Sequence, residues 1–93
     1  MALYLAERYL PGITREQILA AAARARDASV RMTEEGTAVR YLGSTFIPED
    51  EACFCLFDAA SAETVKEANQ RAAIPFDRII EAVRVASEDL TSE

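Results

Sequence analysis

Ala52-Cys53-Phe54-Cys55-Leu56-Phe57 is the stretch on which the fold turns. Successive side chains of a strand point to opposite faces. Here both faces are apolar: Ala52, Phe54 and Leu56 on one, Cys53, Cys55 and Phe57 on the other. A strand of that kind is covered on both sides. The acidic turn Pro48-Glu49-Asp50-Glu51 precedes it, and before that Ala38–Ile47 reads as another strand, with Val39, Tyr41, Leu42, Thr45 and Phe46. After it, Ser61 opens a helix whose first turn carries Glu63, where the helix dipole favours a negative charge. Val65, Ala68 and Ala72 form the buried stripe of that helix, and Pro75 stops it.

The two ends of the chain complete the pattern. Ala2 to Leu10 alternates Leu3 and Leu5 with Tyr4 and Ala6, and Pro11-Gly12 end it, so it reads as the first strand. Thr14 with Gln17 three residues on is a capping box. Ile18, Ala22, Ala25, Ser29 and Met32 then share one helical stripe of mostly small residues, and Gly36 supplies a left-handed C-terminal turn. Asp77–Ala86 reads as the fourth strand, with Ile79, Val83 and Val85 on one side and Ile80 and Ala82 on the other. The order is βαββαβ, the ferredoxin-like split βαβ pattern. Right-handed crossovers put the first and third strands at the centre of a four-stranded antiparallel sheet, with two helices on one face. The 93 residues make a single α+β domain, 1–93, with 86–93 an acidic, loose tail.

Two helices cover one face of such a sheet. The other face carries aromatic and aliphatic side chains whichever parity is chosen, more apolar surface than soluble monomers usually show. The expectation is therefore a homodimer, two sheets packed face to face as a dimeric α+β barrel with an apolar interior.

Composition excludes several functions. The net charge is −6 and the ten basic residues are scattered, so the chain lacks the footprint of a nucleic-acid binder or a membrane-surface protein. No apolar run approaches the roughly 20 residues that span a bilayer. The N-terminus lacks a basic start, and Glu7 and Arg8 interrupt its apolar run, so a signal peptide is not expected. Two cysteines so close together do not make a secreted disulfide scaffold, which points to a cytoplasmic protein with reduced thiols. There is no histidine, and neither a Gly-x-Ser-x-Gly elbow nor a Gly-rich loop at a helix start.

Glu7 and Arg8 are the best site candidates, because charges in a central strand are costly unless paired or used. In the enclosed interior one of them would bind a polar ligand group, or Glu7 would act as an acid or base. Otherwise they pair with neighbours, as Glu7–Arg84 or Arg8–Glu81, or with Arg40. Tyr4, Tyr9 and Tyr41 either line a cavity or pack in strands. Arg40 opens an edge strand, and Asp58 and Asp77 read as turn or cap residues. Cys53 and Cys55 share one face of their strand, as weak candidates for a soft metal or redox pair or as small core residues.

Tyr4-Leu5-Ala6-Glu7-Arg8, the stretch from Cys53 to Glu63 and the stretch from Ala68 to Val83 together resemble a family of small ferredoxin-like proteins of the dimeric α+β barrel kind. The resemblance runs from Leu3 to about Val85. It includes a nickel-binding branch with histidines in its first strand and second helix; Arg8, Tyr9 and Asn69 stand at those places here. The resemblance implies nickel as a cofactor, while the residues themselves give no metal centre, since imidazole suits nickel and arginine does not. Three functions remain open. The first is a non-catalytic binding protein holding a small organic molecule or a metal ion in the dimer interior. The others are a cofactor-free, monooxygenase- or isomerase-like enzyme using Glu7 or Glu81 on a small apolar substrate, and a structural or interaction module without ligand.

Overall fold

The computed structural model describes residues 1–90. Strand β1 (Ala2–Tyr9) is followed by helix α1 (Arg15–Glu34), strands β2 (Val39–Ile47) and β3 (Ala52–Ala59), helix α2 (Ala62–Arg71) and strand β4 (Arg78–Ala82). The sheet order is β2-β3-β1-β4, all antiparallel, so β1 and β3 are central as expected.

The helix ends follow from local chemistry. The capping box forms: Thr14 Oγ1 accepts from the Gln17 N–H at 3.1 Å, and the Thr14 N–H donates to Gln17 Oε1 at 2.9 Å. Ser61 Oγ accepts from the Thr64 N–H and caps α2. Both helices close with the same paired carbonyl capture. At α1 the Thr37 N–H reaches the Met32 carbonyl and the Gly36 N–H reaches that of Thr33. At α2 the Ile74 N–H reaches the Asn69 carbonyl and the Ala73 N–H reaches that of Gln70. The residue at the turn has φ 104° at Gly36 and φ 56° at Ala73. A β-carbon in the left-handed region costs on the order of 1 kcal/mol, which glycine avoids.

The core lies between the sheet and the helices. Small residues meet small residues: Ala25, Ala28 and Ser29 of α1 and Ala68 of α2 are buried, as are Ala6, Cys55 and Ala59 on the sheet, while Met32, Phe57 and Val65 fill the remaining volume. This close approach sets the parity of β1. Tyr4, Ala6 and Arg8 go under the helices, and by alternation Leu3, Leu5 and Glu7 take the open face.

Three expectations need correction. The sheet does not close into a barrel; it is a single open layer whose edges, β2 and β4, lie at opposite ends of the strand order. The barrel was inferred from the aromatic and aliphatic side chains of the second face, and the observed face is interrupted by charge. Leu3, Leu5, Phe54 and Leu56 are half-buried among cross-strand neighbours, one row carries Glu7 and Arg78, and another carries Arg40 opposite Asp58. A second copy is therefore not demanded by the bare-surface reasoning that called for it. Next, β4 stops at Ala82 rather than Ala86, because Ala82 pairs with Leu3 and β1 begins one residue before Leu3. Val83 and Val85, read as sharing one side of the strand with Ile79, lie beyond it and are exposed. Finally, Asp58 lies within β3 and is not a cap. Of the expected tail, Ser87–Asp89 form a short 3-10 turn, and residues 91–93 lie outside the described residues.

Candidate functional site

The Glu7-Arg8 dipeptide is split by the sheet. Glu7 sits on the open face, where its carboxylate receives the Arg78 guanidinium, with Nε at 2.9 Å from Oε1. Arg84 is not its partner, because β4 ends before that residue. Arg8 sits on the helix face and is 1% exposed. Its Nη1 donates to the Pro75 carbonyl at 2.8 Å and its Nη2 to Asn69 Oδ1 at 2.9 Å, while Nε has no hydrogen-bond partner. Among the described residues no carboxylate lies within ion-pair distance of Arg8. The expected Arg8–Glu81 pair does not form; Glu81 is exposed on edge strand β4, opposite Tyr4.

The local chain explains why Arg8 is held so firmly. Asn69 lies on the buried stripe of α2, and its Nδ2 donates to the Val65 carbonyl at 2.8 Å, which leaves Oδ1 free for the guanidinium. Pro75 follows the Ala73 turn, so the end of α2 delivers a carbonyl to the same group. Beyond Arg8, the backbone of β1 is pinned by Asp77, whose Oδ2 accepts the Tyr9 N–H at 2.8 Å.

Arg8 lines a cavity of about 580 Å³ between the sheet and the N-terminal half of α1. Cys53, Cys55 and Ser44 are on the sheet wall, Ile18, Ala21 and Ala25 on the helix wall, and Pro11, Gly12 and Pro75 of the connecting segments also line it. Ser44 reaches this wall through a register shift between Tyr41 and Gly43, which gives β2 one extra residue against β3. The bulge sets Ser44 opposite Cys55 and Phe46 opposite Cys53. A polar chain results: Tyr41 Oη is 2.5 Å from Ser44 Oγ, Ser44 Oγ is 2.9 Å from Cys55 Sγ, and Cys55 Sγ is 3.9 Å from Cys53 Sγ.

The two thiols are not equivalent. Cys55 is pulled down to about 6 by the hydrogen bond from Cys53; burial opposes this, and the Arg8 charge and the Ser44 hydroxyl assist it. The same contact with Cys55, together with burial, pushes Cys53 up. Cys55 is thus the member of the pair whose thiolate form is favoured. Burial also raises Tyr41, so its phenol remains protonated.

Of the sequence candidates, the structure brings Arg8, Cys53 and Cys55 to one cavity. Tyr4 packs against the core beside it, Tyr41 reaches it through Ser44, and Arg40, Glu7 and Glu81 lie away from it. Asn69 was singled out only as standing in a histidine's place, and Ser44 was not anticipated. Gly43 inside a strand was the available signal for the bulge that turns Ser44 inward.

The chain belongs to the family described as nickel responsive protein SCO4226-like, which it matches over residues 4–82. No curated protein matches it. Among solved structures it is similar to SCO4226 from Streptomyces coelicolor A3(2), with 24% identity and a TM-score of 0.69, over 91% of this chain and 100% of that one. That likeness carries the fold.

The residues present do not fit a nickel centre. The chain has no histidine. Among the described residues no group of three or more cysteine, aspartate or glutamate side chains converges. The one thiol pair lies beside the Arg8 guanidinium, whose charge repels a cation. Among the described residues no helix is long and apolar enough to cross a membrane.

Proposed function

We propose that this chain is a non-catalytic binding protein, and that its ligand is a small organic anion with an apolar body held in the cavity beneath α1. The observation that carries the reading is Arg8: a buried guanidinium with an unpartnered Nε, at the wall of a cavity of about 580 Å³. Burying a cation costs several kcal/mol unless charges and acceptors compensate it. The Cys55 thiolate and two neutral oxygens supply part of that compensation. A carboxylate bringing two more acceptor oxygens would complete it, because the guanidinium fork matches that group. Ile18, Ala21 and Ala25 offer the apolar body its contacts. The family's nickel is not carried over, for want of donors. Acid–base chemistry by Glu7 or Glu81 is disfavoured by their distance from the cavity wall.

Calorimetric titration with benzoate, and with benzamide as its neutral isostere, tests this reading. Benzoate is expected to bind the native protein and benzamide at least tenfold more weakly, with Arg8→Gln erasing the preference. Equal affinity for the two, or no binding of benzoate at millimolar concentration, overturns it.

A further inference from the structure

We infer that Cys53 and Cys55 form a reversible dithiol–disulfide couple oxidised by hydroperoxides, with Cys55 as the attacking sulfur and Cys53 as the resolving one. Both sulfurs face the same cavity, their separation is 3.9 Å, and both are free thiols. This pair, and not a lone cysteine, sits beside one guanidinium, whose charge acts on both sulfurs, and one hydroxyl that contacts a single member, Cys55. That asymmetry is what a thiol attacking an O–O bond needs. The thiolate is the nucleophile, and neighbouring donors stabilise the oxyanion that leaves. The groups facing Cys55 are Arg8 from β1, Tyr41 and Ser44 from β2 and Cys53 from its own strand, with Arg24 of α1 at the cavity wall.

The chemistry balances in two steps. The Cys55 thiolate attacks the terminal oxygen of the hydroperoxide. An S–O bond forms, the O–O bond breaks, and hydroxide or alkoxide leaves and takes up a proton. The product is a sulfenic acid on Cys55, and the peroxide has been reduced by two electrons. The Cys53 sulfur then attacks that sulfenic sulfur. An S–S bond forms, the S–O bond breaks, and the oxygen departs as water with the Cys53 proton. Two residues along a strand span about 6.6 Å between α-carbons, at the upper end of what a disulfide bridges, so closure buckles β3. A bond closed under that strain is readily reduced, which makes the couple reversible. None of this requires the anionic ligand proposed above.

Stoichiometric hydrogen peroxide on the reduced protein at pH 7, followed by intact mass spectrometry, tests the inference. The wild-type chain is expected to lose the mass of two hydrogens and regain it with dithiothreitol. Cys53→Ser should stop at a dimedone-trappable sulfenic acid on Cys55, whereas Cys55→Ser should react at least tenfold more slowly. Circular dichroism confirms that both variants are folded. A native chain that oxidises no faster than the same chain in urea overturns the inference, as does first oxidation at Cys53. Benzoate binding by Cys55→Ser reports separately on the ligand reading, so either can fail without the other.

Discussion

The two faces of this sheet treat adjacent charged residues in opposite ways. On the open face, Glu7 meets Arg78 in an ion pair whose side chains are 22% and 59% exposed. On the helix face, Arg8 is enclosed and bonded to neutral oxygens, with the Cys55 thiol and no carboxylate beside it among the described residues. Water screens the first arrangement and is excluded from the second, so the same kind of side chain is of little consequence on one side and decisive on the other. The helix face is also where small residues approach closely and where the cavity opens, so the function of the chain is read from that side.

Phenylalanine truncation gives the largest expected contrast between the faces. Phe57 is wholly buried beneath the helices, and Phe57→Ala is expected to cost about 3–5 kcal/mol in urea unfolding. Phe54→Ala, half-buried on the open face, should cost under about half of that. Equal losses would mean that the open face is as enclosed as the core. Next, Arg8→Gln strands the Pro75 carbonyl and alters the Asn69 contact, for an expected loss of about 2–4 kcal/mol. An unchanged unfolding midpoint would remove the case for an internal cation under strain.

Thiol reactivity sharpens the same contrast without unfolding the protein. With Cys55 held near 6 by its neighbours, its iodoacetamide alkylation rate should already be close to its plateau at pH 7 and fall as pH drops through about 6. An ordinary cysteine would still be climbing toward about 8.5. A profile centred on that ordinary value would show that Cys53, Arg8 and Ser44 leave the thiol unchanged. The smallest effect is reserved for Glu7→Gln, which should leave the urea midpoint within error, since its partner Arg78 is more than half exposed.

Much of this architecture is legible in the sequence because local chemistry states it. Thr14 with Gln17, and Ser61 ahead of Glu63, mark two helix starts that the structure reproduces. The doubly apolar Ala52–Phe57 run locates a central strand. What was not legible depends on register between distant segments. The length of β4 is set by where β1 begins, and the valines beyond Ala82 have no such signal of their own. The parity of β1 runs against its bulkier leucines, because the small stripe of α1 accepts Ala6 and not Leu5. Ser44 joins the cavity only through a bulge. The barrel expectation failed for a related reason: apolar content was counted per face, without the Glu7, Arg78, Arg40 and Asp58 that interrupt it.

Alternation along β1 works like a reading frame. One residue inserted between Arg8 and Tyr9, whose N–H is held by Asp77, would carry the carboxylate under the helices and send the guanidinium out to water, inverting the sign of the chamber at one stroke. Length changes at that junction should therefore be tolerated only in pairs, whereas point substitutions along β1 alter the chamber one wall at a time.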